Sequence, residues 1–293
     1  MHTRRVVRVS APAKINLALH VTGQQPDGYH LLDSLVMLCS PADTLTLREA
    51  SESYLEVTGP MAGGVPTDLS NLVLKAAGVA GITAQITLEK HLPAAAGIGG
   101  GSSDAAACLR GLSLLSGASM PDPADQLVLG ADVPVCQHNQ LVRMQGIGGD
   151  LTLLGPPPDW PVVLVNPRVA VPTARVFSGL REKQNAPMQG EFPMSGDNRT
   201  RLAWLAEQRN DLQPPAIAAE PVIGDVLAAL NERPGTLLAR MSGSGATCFA
   251  IFSDVSTRDA AVSHLRTEQP GWWVMPANRL KAGFNPVVLP QDG

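Results

Sequence analysis

Apolar residues alternate with others at Ile15, Leu17, Leu19 and Val21, the period of a β-strand, and Val7 and Val9 alternate in the stretch that begins at Val6. Two strand segments are predicted over 6–21, joined at Ala11-Pro12-Ala13, with Lys14 and Asn16 together on the opposite face. Residues 24–28 carry Pro, Asp and Gly in turn order, and an apolar stretch runs on to Leu38, so a loop is expected to present Tyr29 and His30. Ser70 or Asp68 is placed to cap a helix over 71–80, and Ile82, Ala84, Ile86 and Leu88 alternate as a strand that ends at His91-Leu92-Pro93. A second helix is predicted over 104–115, rich in Ala and Leu, with Ser102, Ser103 or Asp104 as its cap. Gly155-Pro156-Pro157-Pro158 punctuates the middle of the chain, and a boundary between domains 1–155 and 156–293 is expected there. Residues 183–200 show no period and read as an exposed loop without chemistry. Beyond it the order is helix 222–230, strand 237–241, glycine loop, strand 247–252, helix 257–267 and strand 272–275, an α+β layer.

Bulk properties narrow the function classes. At 293 residues the chain exceeds the usual size of a single core. No uncharged apolar run reaches the roughly 18 residues that span a bilayer, and Val7 and Val9 alternate where a secretory signal would be continuously apolar. No membrane partner and a cytoplasmic setting are therefore expected. The net charge of −4 leaves no broad basic surface for nucleic acid. Cys39, Cys108, Cys136 and Cys248 are scattered without metal-ligand spacing and read as buried thiols.

The strongest local signal is P-A-A-A-G-I-G-G-G-S-S-D-A-A over 93–106, comprising Pro93, Ala94, Ala95, Ala96, Gly97, Ile98, Gly99, Gly100, Gly101, Ser102 and Ser103 before the predicted helix. Four glycines let backbone N–H groups approach an anion, and the partial positive charge of a helix start favours phosphate. The serines add hydroxyl donors or a magnesium contact. A Walker loop needs Gly-Lys-Ser/Thr, which is absent, and a dinucleotide fingerprint needs Gly where Ser102 stands. Asp132, in G-A-D-V-P between apolar stretches, reads as a base for a hydroxyl nucleophile or as a cap. Lys14 reads as a solvated cation, or as a partner that keeps Asp132 charged and stabilises charge on a transferring phosphoryl group. The cluster at 241–250 reads equally as a tight hairpin turn.

Together P-A-K-I-N-L (12–17), the 93–106 run, G-A-D-V-P (130–134) and S-G-S-G-A (242–246) resemble, in order and spacing, the GHMP superfamily of small-molecule kinases; the resemblance spans 11 to about 252. It implies a two-domain α+β fold with the active site in the cleft between domains, and phosphorylation of a small molecule with ATP and Mg2+. It leaves metal ligands and oligomeric state open. D-G-Y-H (27–30) and V-P-T-A-R-V-F (171–177) are similar to the branch that acts on the carbon-2 hydroxyl of a cytidine diphosphate methylerythritol in non-mevalonate isoprenoid synthesis. By that resemblance Asp132 is the base and Lys14 its partner. Tyr29 and Phe177 flank a cytosine, His30 bonds its edge, and Asn16 and Thr173 lie beside the methylerythritol and its phosphates. The 93–103 loop takes the triphosphate, and Asn71 lies near the adenine. The departures at G-I-G-G-D (146–150) and N-D-L-Q (210–213) are expected to touch neither base nor loop. Rival readings are a homoserine, mevalonate or sugar kinase, and a nucleotide-binding regulator without turnover.

Overall fold

The computed structural model describes residues 5–94, 96–281 and 283–290. Its first unit is a long antiparallel pair, β1 (Val6–Gln24) and β2 (His30–Glu49). The two segments expected over 6–21 are thus one strand, and Pro12 is accommodated by a register shift between Pro12 and Ala13 rather than by a break. Residues 11–21 are buried on both faces, so the polar face of β1 does not look into solvent.

β3 (Tyr54–Thr58) follows, then α1 (Leu72–Ala80) and β4 (Ala84–Glu89). Asn71 caps α1, its Oδ1 accepting from Val73 N at 2.9 Å. The expected caps do other work: Asp68 accepts from Ser70 N and Oγ and shapes the preceding turn. α2 (Gly100–Ser116) packs on the sheet so closely that a Cβ at Gly111 would come within 2.6 Å of Leu47. α3 (Pro123–Leu129), a 3-10 turn (Val135–Gln137) and the hairpin of β5 (Leu141–Gly146) and β6 (Asp150–Gly155) complete this half. After Gly155 come β7 (Val162–Asn166), the helices α4 (Thr173–Ser178), α5 (Asn198–Ala206), α6 (Gln213–Ala219) and α7 (Val222–Asn231), then β8 (Thr236–Met241), β9 (Cys248–Phe252), α8 (Val255–Glu268), β10 (Trp273–Ala277) and β11 (Val287–Val288).

One sheet runs β11-β1-β2-β4-β3, with β5 on β2 and β6 on β5; the other runs β10-β7-β9-β8. A shared core joins them, in which Ile15, Leu17 and Met37 of the first sheet pack with Leu164, Phe249 and Ile251 of the second. The segment expected as an exposed loop over 183–200 also enters that core. Met188 and Phe192 are buried, Met188 N donates to Asp33 Oδ2 at 2.9 Å, and α5 begins at Asn198. Two apolar anchors in an otherwise polar stretch leave no period to read. The four cysteines are free and buried, and burial pushes the Cys39 and Cys136 thiols up to about 12. No helix among the described residues is long and apolar enough to cross a membrane.

Candidate active site

A cleft of about 990 Å³ opens where β1, the 96–102 loop, the turn holding Asp132, α4 and the loop between β8 and β9 converge. Lys14 projects into it from β1 and is 3% exposed; its Nζ lies 2.7 Å from Asp132 Oδ2 and donates to Asn16 Oδ1 at 2.9 Å. A buried ammonium needs such partners, and the solvated reading of Lys14 gives way to the paired one. Asn16 is fixed in turn: Nδ2 donates to Ser34 Oγ at 2.8 Å, and its backbone N donates to Ser242 Oγ at 3.0 Å. Ser242 Oγ donates onward to Gly97 O at 2.8 Å. One hydrogen-bonded path therefore joins the Lys14 pair to both glycine loops.

The glycine-rich run presents bare backbone. Gly99 caps α2 in a left-handed conformation, φ +62, and no side chain caps the helix. Ser102, Ser103 and Asp104, the expected caps, sit inside the helix, because the glycines themselves form its first turn. A Cβ on Gly99 would meet Lys14 Cε at 2.9 Å, so only glycine lets the lysine lie along the loop. Ala96, Gly97, Gly99, Gly100, Gly101 and Ser102 line the cleft. Pro93 and Ala94 approach it in sequence only, Ile98 and Ser103 are buried, and Ala95 lies outside the described residues. Ile98 O accepts from Lys14 N at 2.9 Å, fixing the loop on β1. The uncapped helix start with left-handed glycines fits an anion.

Asp132 sits between α3 and the 3-10 turn, where its backbone O accepts from Cys136 N; its carboxylate goes to Lys14, not to a helix end. Far along the cleft the His30 ring stacks on Phe177, centroids 4.6 Å apart and planes 29° apart. Burial first, then Lys183, holds His30 below the usual histidine range, and its Nε2 has no partner among the described residues. Tyr29 is 65% exposed in the turn, its N–H donating to Asp27 Oδ1 at 3.1 Å. His30 thus occupies the Phe177 face to which the resemblance assigned a cytosine. Thr173 Oγ1 lies 2.9 Å from Ser244 Oγ on the cleft wall. Asn71 is committed elsewhere: besides capping α1 it donates to Pro66 O at 2.7 Å, and it is Leu72 that reaches the cleft.

The segments that carry the two departures lie beside the site through residues that keep the pattern, Asn210 and Gly148. Asn210 Nδ2 donates to Met241 O and Gly243 O at 2.8 and 2.9 Å, clamping the second glycine loop. Gly148 has room only for hydrogen, since a Cβ would meet Ala131 O, beside Asp132, at 2.9 Å. A further group carried no sequence signal. Lys90, 2% exposed, pairs with Asp43 and with Asp104 Oδ2 at 2.7 Å beneath the glycine loop. Burial pushes the Asp104 carboxyl above the usual carboxylate range, against the pull of Lys90. No cluster of three His, Cys, Asp or Glu among the described residues is arranged for a metal.

Residues 68–139 match the GHMP kinases N terminal domain and residues 195–270 the GHMP kinases C terminal family. The chain is 55% identical over 267 residues to a 4-diphosphocytidyl-2-C-methyl-D-erythritol kinase of Dinoroseobacter shibae, covering 91% of this chain and 92% of that one. It is 52% identical to a protein of the same name from Ruegeria pomeroyi, over 91% and 97% of the two chains. Among solved structures it is similar to a 4-(cytidine 5'-diphospho)-2C-methyl-D-erythritol kinase, with TM-score 0.74 and 31% identity over 92% of this chain and 99% of that one. A homoserine kinase from Cytophaga hutchinsonii shares the fold at TM-score 0.66 and 19% identity over 99% and 98% of the chains.

Proposed function

Because the chain belongs to the 4-diphosphocytidyl-2-C-methyl-D-erythritol kinases of the GHMP family, we propose that it transfers the γ-phosphoryl group of ATP to the carbon-2 hydroxyl of that acceptor. The observation that carries the residue-level reading is the Lys14–Asp132 pair, 2.7 Å apart, at the mouth of an uncapped helix in the same cleft.

Asp132 accepts the proton of the acceptor hydroxyl as its oxygen approaches the γ-phosphorus in line, and Lys14 stabilises the negative charge spread over the equatorial oxygens. The N–H groups opening α2 hold the triphosphate, so the chain's contribution is mainly positioning and charge. The Ser102 hydroxyl on the cleft wall is the protein group that would meet a magnesium ion accompanying ATP, and such an ion would supply neutralisation of the phosphate charge there. The cytidine of the acceptor goes to the slot of Tyr29, His30 and Phe177, with His30 leaving the Phe177 face so that the base stacks there. Asn16 and Thr173 border the methylerythritol and its phosphates, and Asn71 acts near the adenine through the placement of α1.

A division into an ATP-binding and catalytic part, 1–155, and a C-terminal part, 156–293, is supported by the change of sheet after β6, with β11 returning to the first sheet. Four free buried cysteines are in keeping with the cytoplasm. Incubation with ATP, Mg2+ and each of the cytidine diphosphate acceptor, homoserine, mevalonate and galactose, followed by product mass, tests the reading. Phosphorylation of the first is expected. Turnover confined to another acceptor, or ATP binding without turnover on any, would replace it.

A further inference from the structure

The link between Lys90 and Asp104 is surplus to what charge neutrality requires. Lys90 follows β4 and Asp104 lies just past the first turn of α2, so the two bracket the glycine-rich loop. Asp43 of β2 already answers the ammonium, and its other oxygen accepts from His91 N and Leu92 N at 2.5 and 2.8 Å. Lys90 is pinned by its own backbone as well, N donating to Thr58 O at 2.7 Å and O accepting from Met61 N at 3.1 Å. The second carboxylate, Asp104, is 3% exposed, and one of its oxygens has no partner among the described residues.

A second buried acid, charged or protonated, costs desolvation without adding to the neutrality that Asp43 already provides, and buried ion pairs seldom stabilise more than hydrocarbon of the same volume. What an ammonium supplies that hydrocarbon does not is a directed bond. Its direction matters here, because a Cβ built on Gly100 would lie 3.6 Å from Lys90 Nζ, directly under the first residue of the helix. The intervening glycines have little conformational preference of their own, so the attitude of the helix start must come from such tethers.

We propose that Asp104 and Lys90 are positioning residues of the phosphate loop: their bond ties the start of α2 to the end of β4 and sets where the helix N–H groups meet the ATP phosphates. The inference rests on the reading of 96–102 as the triphosphate site. Asp104→Ala tests it without stranding a charge, since Lys90 keeps Asp43. Asp104→Asn keeps an oxygen that accepts from Lys90. The KM for ATP is expected to rise about tenfold or more in Asp104→Ala and to stay within about twofold in Asp104→Asn, with the KM for the acceptor within about twofold in both. A packing role alone would lower the melting temperature of Asp104→Ala and leave the KM for ATP at the parent value, and that result overturns the inference. A parent protein that turns over no ATP overturns the phosphate-loop reading and this inference together, whereas an active parent with an unaltered alanine variant overturns this inference alone.

Discussion

Asp132 carries two demands that pull on one side chain: its carboxylate must pair with the buried Lys14 and still accept a proton from the acceptor. It meets both because it is about one-third exposed on the cleft side while Lys14 is closed off. Asp132→Asn keeps an oxygen for Lys14 and removes the basicity. The kcat is therefore expected to fall by about 10²–10⁴-fold while the KM for ATP stays within about threefold. Steady-state kinetics decide it, and an Asn variant with parental kcat would strip Asp132 of the role. His20 shows the opposite use of a titratable group. It is 1% exposed, its Nδ1 donates to Ala186 O at 3.1 Å, and its Nε2 accepts from Arg209 N at 3.2 Å, so both nitrogens are used by the neutral ring. Burial, then Arg209, lowers its proton affinity. The unfolded chain takes up a proton near pH about 6.5 and the folded chain only below that, so the unfolded state binds more protons in between and stability rises with pH through the interval. The contribution is complete above about pH 6.5 and is withdrawn on acidification, at no more than about 1.4 kcal/mol per pH unit. His30 and His138 shift the same way, so the comparison must be between proteins. From about pH 7.5 to 5.5 the melting temperature of the parent is expected to fall more steeply than that of His20→Gln; parallel slopes would show that His20 is not the sensor.

The two glycine loops act as interlocking elements. Gly97 has φ +71, and a Cβ there would lie 2.4 Å from Ser242 O and 2.8 Å from Gly245 N. Both neighbours are backbone, which cannot step aside as a side-chain end can. Gly97→Ala is expected to cost about 1–3 kcal/mol of stability and to raise the KM for ATP, read by denaturant unfolding and kinetics. Gly78, inside α1 with open space around it, is the contrast: Gly78→Ala should stabilise by about 0.5–1 kcal/mol and leave kinetics unchanged. The sequence made the first loop and its helix legible, since four glycines ahead of an Ala-rich stretch are a local signal. The order of elements beyond residue 222 was legible for the same reason, each being bounded by Gly, Pro or a charge cluster. β2 was not, because a 20-residue strand that passes through Ser40-Pro41 and Asp43 breaks its own alternation. α4 and α6 begin beside prolines and run for only 6 and 7 residues, too short for a helical period. The Lys90 cluster and the Asn210 clamp join residues far apart in sequence, where no spacing rule reaches.

At the scale of the molecule, the change of sheet after Gly155 suggests two units, yet the core is not divided there. Ile15 and Leu17 of β1 pack among Leu164, Phe249 and Ile251, and Arg240 of β8 donates to Leu17 O at 2.7 Å, so neither sheet can lose its partner without exposing apolar surface. Two halves joined only at a cleft rim would melt separately, whereas halves sharing a core melt together. A single calorimetric transition is expected, with an enthalpy of about 200 kcal/mol at about 0.7 kcal/mol per residue and a van't Hoff enthalpy close to it. Because the cleft takes its walls from both units, a ligand filling it must raise that one transition as a whole. Acceptor at about 100 times its dissociation constant should add about 2.7 kcal/mol without splitting the peak. Two resolved endotherms, with ligand moving only one, would show that the shared core does not couple the halves and that the cleft belongs energetically to a single unit.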